Sequence, residues 1–186
     1  GRTVRVAKTG YTGEPIGYEV YIESDQAAWL WNRLIELGAK PAGLGARDTC
    51  RLEACLPLYG HEMGTDPEGK EIPVFAVPLA KFAVSFSPQK GDFIGREALA
   101  KQYEVFRRIM NRDFSDLTDL PRRILPITLL DKGVMRAGMP VYKGDKRIGY
   151  VTSGTMVPDS RPEGEGLGTV ILEETAKRSN GLAIVD

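Results

Sequence analysis

Two arginines beside a glycine-rich turn are the first residues of this sequence whose types and spacing could do chemistry. Gly43 and Gly45 precede a predicted short helix that carries Arg47 and Arg51 four residues apart. Glycine lets a backbone turn closely because it has no Cβ atom, and each guanidinium offers a planar fork of donors to a carboxylate. The pattern therefore fits either an anionic ligand or two ion pairs with neighbouring acidic side chains, and both alternatives stay open.

The helix that must position these arginines has its own signals. Asp48 or Thr49 is expected to cap the turn through a side-chain oxygen. Leu52, Cys55 and Leu56 have the spacing of one apolar stripe, which predicts that this side of the helix is covered. Arg47 and Arg51 would then project from the remaining surface, near the glycines.

A carboxylate within an apolar strand is the second chemical feature. Residues 4–8 and 17–22 are predicted strands, and alternation places Glu19 and Tyr21 on the face opposite to the apolar residues of the second strand. A buried carboxylate is costly unless hydrogen-bond donors surround it. We therefore expect a lysine, an arginine or a ligand to satisfy Glu19.

The two segments that carry these residues resemble a known family. Residues 42–63 read AGLGARDTCRLEACLPLYGHEM and are similar to the AGLGARDxLRLEAGLxLYGxD segment of the glycine cleavage system T protein, a folate-dependent aminomethyltransferase. Residues 8–22 read KTGYTGEPIGYEVYI and resemble the RTGYTGEDGFEI segment of the same family. The resemblance is ungapped through the arginine-bearing helix.

The resemblance implies roles for individual residues. Glu19 matches the glutamate that grips the pterin ring of tetrahydrofolate, and a carboxylate suits the adjacent N–H donors of a pterin edge. Arg47 matches an arginine used for substrate binding, whereas Arg51 is expected to be mainly structural. Tyr11 matches a pterin-contacting tyrosine, although the residues Pro15-Ile16 lengthen the turn between it and Glu19.

A second region of resemblance follows further along the chain. Residues 93–99 keep the family's FIGREAL motif, and residues 133–154 resemble its C-terminal β-barrel sequence. Arg136 matches an arginine there and is expected either to reach the folate cavity or to form an ion pair within the barrel. Before the FIGREAL motif the family's glutamate and tryptophan are absent, and Val74, Phe75 and Phe82 lie in that neighbourhood instead, as in a diverged relative.

The predicted fold class is α+β, with a T-protein-type folate-binding subdomain followed by a small β-barrel. Residues 1–110 are assigned to part of the folate-binding domain, 111–123 to a linker and 124–186 to an incomplete barrel. Because both ends fall in strand-like sequence, we expect the chain to be the C-terminal portion of something longer, clipped at both ends. An incomplete barrel also predicts a strand edge that other sequence or a partner covers.

Several elements are predicted from local signals. Residues 26–37 read as a helix capped by Ser24-Asp25 and closed by Gly38, and a second helix runs from about residue 95 to 108. Strands are predicted over residues 124–130, 139–142 and 147–152, with turns at 143–146 and at Ser153-Gly154. The predicted buried stripe of the first helix consists of five residues: Ala27, Leu30, Trp31, Leu34 and Ile35.

Composition limits the classes of partner and site. The 25 basic and 25 acidic side chains give no net charge, which argues against a nucleic-acid partner, and no apolar run reaches membrane-spanning length. Cys50, Cys55 and His61 form a poor zinc set, so we expect no metal. His61 is expected to be a surface or loop residue. Unpaired thiols are typical of a reducing cytosol, which predicts a cytoplasmic protein.

The resemblance implies a reaction and partners. T proteins take a one-carbon unit from an aminomethyl group on a lipoyl carrier protein, release ammonia and form methylenetetrahydrofolate. The family's catalytic aspartate precedes the matching segment, so no residue here receives a catalytic role. The expectation is a tetrahydrofolate-dependent aminomethyltransferase, to which this chain supplies the C-terminal part. The alternatives are a diverged folate-dependent demethylase, or a non-catalytic folate-binding or scaffolding subunit whose separate N-terminal half carries the aspartate.

Overall fold

The protein forms a mixed structure of helices and sheets, which confirms the predicted α+β class. The computed structural model describes residues 2–159, 162–171 and 176–186. The chain divides into two compact units, Gly1–Leu56 and Pro57–Asp186. The predicted boundary at residues 111–123 stays a prediction.

The first unit contains one short hairpin and two helices. Strands β1 (Arg5–Ala7) and β2 (Glu19–Tyr21) pair antiparallel, with Ala7 opposite Glu19. Helices α1 (Ala27–Glu36) and α2 (Leu44–Glu53) follow. The predicted strands and helices of this unit are therefore present, although each strand is shorter than the sequence suggested.

Helix α1 ends as predicted but differs in its start and its burial. Gly38 follows it with a left-handed φ of 96°, the conformation that glycine adopts readily after a helix. The Ser24-Asp25 side chains do not cap it, because a 3-10 turn over Ser24–Gln26 leads into it instead. The predicted buried stripe is wrong: Trp31 is 54% exposed and Leu34 is 41% exposed. A stripe becomes buried only where another layer covers it, and the described residues leave this one open.

Helix α2 begins earlier than its predicted caps. Gly43 is the N-cap residue, so Asp48 and Thr49 lie inside the helix and the prediction that either caps it is wrong. Leu52 is buried, as the apolar stripe predicts. Cys55 departs from that stripe, because it follows the helix with a positive φ of 57° and is exposed.

Among its described residues, the second unit contains two α-helices and a four-stranded antiparallel sheet. Helices α3 (Ala80–Ala83) and α4 (Arg96–Met110) precede the sheet. The four strands of the sheet are β3 (Arg123–Thr128), β4 (Pro140–Lys143), β5 (Lys146–Asp159) and β8 (Ala176–Val185). They lie in the order β3-β8-β5-β4. A separate two-stranded ladder pairs β6 (Pro162–Glu163) with β7 (Val170–Ile171).

The core of the second unit has an aromatic cluster and a sheet layer. The ring of Phe75 lies with its centroid 5.2 Å from that of Tyr103 and 5.8 Å from that of Phe106. Tyr103 and Phe106 lie on one side of α4. On the sheet, Leu182 and Ile184 are almost fully buried. Pro73 and Pro78 disfavour a central strand between them, and a 3-10 turn over Val74–Ala76 occupies that segment.

The predicted turn at Ser153-Gly154 is wrong. Strand β5 continues through both residues to Asp159, with a register shift between Val151 and Ser153. A Cβ atom on Gly154 would lie 2.6 Å from the carbonyl oxygen of Met135. Glycine is required at this position for close backbone approach within a strand rather than for chain reversal.

The predicted β-barrel is not confirmed, because the described strands of the second unit form no closed sheet. The composition of residues 159–166 is typical of a solvated loop, but β6 forms part of this segment, and residues 160–161 lie outside the described residues. The strand-like sequence at the C-terminal end of the chain lies in a strand, as part of the longer β8. Within the described part of the chain, no helix is both long and apolar enough to cross a membrane.

Candidate functional site

The hairpin of the first unit presents Glu19 at its exposed surface. The chain returns from β1 to β2 through residues 8–18, and the loop closes where Gly10 and Gly17 meet. A Cβ atom on Gly17 would lie 2.8 Å from the carbonyl oxygen of Thr9 and 3.0 Å from the Cα atom of Gly10. This close approach sets Thr9 beside Glu19, although the two residues are ten positions apart in the chain.

Two hydroxyl groups hold the Glu19 carboxylate. The Thr9 hydroxyl donates a hydrogen bond to Glu19 Oε2 at 2.7 Å, and the Tyr21 hydroxyl donates to the same oxygen at 3.0 Å. Within the described residues, Glu19 Oε1 receives no hydrogen bond. One oxygen of the carboxylate is therefore engaged by the protein, and the other is open to a ligand.

These contacts set the charge states in the cluster formed by Thr9, Glu19 and Tyr21. The hydrogen bond from Thr9 lowers the pKa of Glu19 below its ordinary value of 4.5, and the bond from Tyr21 acts in the same direction. The same bond to Glu19 raises the pKa of the Tyr21 hydroxyl above 10.0. At neutral pH Glu19 is thus a carboxylate and Tyr21 a neutral donor. The expected lysine or arginine partner is not found among the described residues, and the premise of burial is wrong, because β2 is exposed.

Space for a ligand adjoins the cluster. Tyr21 lines a cavity of about 560 Å³ together with Arg2, Arg5 and Gln26. The Arg2 guanidinium lies 4.4 Å from the ring centroid of Trp29, a cation–π distance. The cavity beside Tyr21 therefore carries two basic side chains and one acidic side chain, that of Glu23.

The two arginines of α2 have separate roles. Arg51 is fully buried: its Nε donates to Asp48 Oδ1 at 2.8 Å, and its Nη1 donates to the carbonyl oxygen of Leu56 at 3.1 Å. It ties the helix to the segment that follows, as its predicted structural role requires. Arg47 is exposed, and no ion pair is formed by its side chain within the described residues. The ion-pair alternative therefore applies to Arg51 and leaves Arg47 open to an anion.

The other two predicted site residues lie in different units. Tyr11 is 38% exposed in the loop of the hairpin. Arg136 belongs to the second unit, where it is exposed and its Nη1 lies 3.5 Å from the carbonyl oxygen of Met135. The alternative ion pair within the barrel is not formed by Arg136 in the described residues. Glu19 and Arg47 share the first unit and make no hydrogen bond or ion pair with each other.

Sequence reasoning missed Thr9 and Tyr21 as partners of Glu19. A signal for both was present, because continuing the hairpin register places Thr9 opposite Gly17, on the face that carries Glu19 and Tyr21. The absence of a side chain on Gly17 is the cue that the backbones approach closely there. Once this register is known, hydrogen bonds from the Thr9 and Tyr21 hydroxyls to the Glu19 carboxylate can be expected.

Sequence reasoning also missed two buried polar links in the second unit. Glu62 is fully buried, and it accepts hydrogen bonds from Ser153 Oγ at 2.6 Å and from the backbone N–H of Leu58 at 2.8 Å. Asp66 forms an ion pair with Arg122, with Nη1 and Oδ2 2.6 Å apart. Both links join the 58–66 segment to later parts of the unit, and their role is to hold the fold together.

His61 lies in the same segment and is exposed. Its Nδ1 atom lies 3.3 Å from the carbonyl oxygen of Thr152 and 3.4 Å from the hydroxyl oxygen of Ser153. The Ser153 hydroxyl donates its hydrogen bond to Glu62. His61 is an exposed loop residue, as predicted. The described residues contain no group of three or more His, Cys, Asp or Glu side chains that could hold a metal ion.

Comparison with known proteins identifies relatives of this chain. A family profile described as "GCVT N-terminal domain" matches residues 1–75. The aminomethyltransferase of Moorella thermoacetica is 43% identical over 157 residues, covering 82% of this chain and 37% of that protein. The aminomethyltransferase of Bacillus cereus strain AH187 is 39% identical over 186 residues, covering 97% of this chain and 40% of that protein.

The solved structure of the glycine cleavage system aminomethyltransferase T from Bartonella henselae has the same fold over 98% of this chain and 41% of its own. The TM-score is 0.63 at 23% identity. The two relatives that match most of this chain are both named aminomethyltransferases. The chain belongs to the glycine cleavage system T protein family. It spans about two fifths of the length of the curated relatives it matches.

Proposed function

We propose that this chain supplies a tetrahydrofolate-binding part of an aminomethyltransferase of the glycine cleavage system. The observation that carries the proposal is the Glu19 carboxylate, which is exposed, ionised at neutral pH and open at Oε1. A pterin edge presents adjacent N–H donors, and a charged acceptor makes the stronger class of hydrogen bond with such donors. Glu19 is the pterin contact in this proposal.

Arg47 is the proposed anchor for a carboxylate of the folate or of the substrate. Its guanidinium is exposed and has no ion-pair partner among the described residues, so it is available to bind an anion without first breaking a protein contact. Tyr11 and Arg136 are proposed as further folate contacts on the basis of their matching positions in the family. No residue of the chain is assigned a catalytic role.

The reaction proposed for the whole protein is transfer of a one-carbon unit from an aminomethyl group on a lipoyl carrier protein to tetrahydrofolate. Bound tetrahydrofolate supplies the nucleophilic nitrogen, while Glu19 and Arg47 bind and orient it. The relatives at 39–43% identity are named aminomethyltransferases, which favours an aminomethyl donor over the demethylase alternative. A lipoyl carrier partner, a cytoplasmic location and a C-terminal β-barrel are parts of this proposal.

Calorimetric titration tests the proposed ligand. The chain is titrated with tetrahydrofolate and with p-aminobenzoylglutamate, which has the anionic tail but lacks the pterin. Each titration is repeated with a polypeptide that supplies the portion of the Moorella relative not matched by this chain. Saturable binding of tetrahydrofolate that the pterin-free compound does not reproduce supports the proposal, and no binding in either arrangement contradicts it.

A further inference from the structure

We infer that Thr9 and Tyr21 are positioning residues for ligand recognition, holding Glu19 by Oε2 so that Oε1 faces the ligand. This inference rests on the proposed function, because it takes Glu19 as the ligand contact. The Thr9 hydroxyl and the Tyr21 hydroxyl both donate to Oε2, at 2.7 Å and 3.0 Å. In this inference, neither Thr9 nor Tyr21 contacts the ligand directly.

Convergence on one oxygen has a geometric consequence. A carboxylate has two oxygens with about four acceptor positions, and two donors on Oε2 occupy the positions of that oxygen. An exposed glutamate otherwise samples several rotamers, and ordering it on ligand binding has an entropic cost. Two fixed donors restrict the carboxylate before the ligand arrives. The ligand then meets an oriented Oε1 rather than a freely rotating group.

The two donors come from parts of the hairpin that the backbone fixes. Tyr21 lies two residues from Glu19 on the same face of β2. Thr9 follows β1 at the place where the chain closes against Gly17. The carboxylate oxygen Oε2 is therefore held by one donor from its own strand and by a second donor from the loop that follows β1.

A purely structural role for the two hydroxyls makes a different prediction. If they only stabilised the hairpin, removing them would lower the melting temperature and leave the pH dependence of ligand binding unchanged. As positioning residues, they also hold Glu19 in its charged form, since both bonds lower its pKa. The pH below which binding is lost then reports on them directly.

The test uses Thr9→Val, Tyr21→Phe and the double variant, with tetrahydrofolate as the probe. The matched control is Tyr18→Phe, which removes the hydroxyl of an exposed tyrosine of the same hairpin that forms no hydrogen bond with the Glu19 carboxylate in the described residues. We expect each test substitution to weaken binding about 3- to 10-fold, as for loss of one hydrogen bond. The control should stay within twofold of the parent.

The second readout is the affinity as a function of pH between 3.5 and 7. Binding requires the carboxylate, so affinity falls as the pH drops through the pKa of Glu19. In the double variant this pKa returns toward its ordinary value of 4.5, and the loss of affinity moves to higher pH. Unchanged affinity and an unchanged pH profile in folded variants would overturn the inference.

Different results would contradict the positioning role of Thr9 and Tyr21 and the proposed function. If the parent binds tetrahydrofolate and Glu19→Gln does not, while Thr9→Val and Tyr21→Phe behave as the parent, the positioning inference alone is wrong. If the folded parent binds no tetrahydrofolate with or without the complementing polypeptide, the proposed function is wrong, and the inference is overturned with it. Circular dichroism and thermal melts of every variant separate either case from loss of fold.

Discussion

Gly17 lies so close to Thr9 that a single added carbon would force the two segments of the hairpin apart. A Cβ atom at Gly17 would come within 2.8 Å of the carbonyl oxygen of Thr9, and that oxygen belongs to the backbone and cannot rotate away. The contact closes the loop that delivers the Thr9 hydroxyl to Glu19. The shape of the candidate site thus depends on a residue that has no side chain.

Gly17→Ala should therefore weaken tetrahydrofolate binding more than removal of the Thr9 hydroxyl alone. The alanine displaces Thr9 from Glu19 and disturbs the pairing of β1 with β2 as well. Affinity is measured by calorimetry beside Gly168→Ala, whose added Cβ meets no atom within 4 Å. Equal affinities for the two variants would mean that loop closure does not shape the site.

Arg47→Ala should reduce folate affinity about tenfold, by loss of a charge-assisted contact, with little effect on stability. The side chain is exposed and forms no ion pair within the described residues, and substitutions at such positions usually change stability by less than about 0.5 kcal/mol. Arg51→Ala provides the contrast, because Arg51 is fully buried and its loss should lower the melting temperature markedly. A stable Arg51→Ala protein, or an Arg47→Ala protein with parental affinity, would contradict these assignments.

Ser153→Ala should destabilise the protein by about 1–3 kcal/mol, because it leaves a buried carboxylate oxygen without its hydroxyl donor. Ser153 is 4% exposed and its acceptor Glu62 is fully buried. Urea denaturation of this variant is compared with that of Ser85→Ala, which alters an exposed serine. A difference below about 0.5 kcal/mol between the two would show that the hydroxyl contributes little.

The Asp66–Arg122 ion pair should make the free energy of unfolding depend on pH in the acidic range. The hydrogen bond from Arg122 lowers the pKa of Asp66 below 3.8, with backbone N–H donors of Lys70 and Glu68 acting in the same direction. A lowered pKa in the folded state gives stability that is complete above the unfolded pKa and is lost as pH falls through the folded pKa. The free energy of unfolding should therefore decline below about pH 4.

Arg122→Met isolates this contribution. The variant should lose about 1.5–3 kcal/mol near pH 6, where the carboxylate is charged, and the difference from the parent should shrink as the pH falls toward 3. Asp66 is fully buried and Arg122 is 18% exposed, so solvent screens the pair only weakly. A difference that stays constant from pH 6 to pH 3 would show that the charge of Asp66 is not involved.

Local sequence signals predicted secondary structure well where the conformational preference of a single residue type determines the backbone conformation. Gly38 ends α1 with its positive φ, and the prolines at 73 and 78 keep that segment out of the sheet. The same kind of signal misled at Gly154, because glycine serves close approach in a strand as readily as it serves a turn. Local sequence does not distinguish the two uses.

Burial and long-range contacts were harder to predict. Leu34 and Ile35 have helical spacing, yet they stay 41% and 38% exposed, because burial depends on which layer packs against a face. Residue type and spacing singled out Glu19 and Arg47, and a family resemblance supplied their predicted ligand contacts, whereas Thr9 became evident only from the hairpin register. The contact between Thr9 and Glu19, ten residues apart, depends on how the hairpin loop closes. The pattern of residue types along the chain does not reveal that loop conformation.

The most direct test of the account is the affinity of Glu19→Gln for tetrahydrofolate at pH 7. Glutamine keeps the shape and an acceptor oxygen for Thr9, but it removes the charge that the ligand's N–H donors meet. The account predicts an affinity about 10- to 100-fold below that of the parent, with Glu14→Gln, an exposed carboxylate of the same loop, close to the parent. Parental affinity in a folded Glu19→Gln protein would contradict the assignment of Glu19 as the pterin contact.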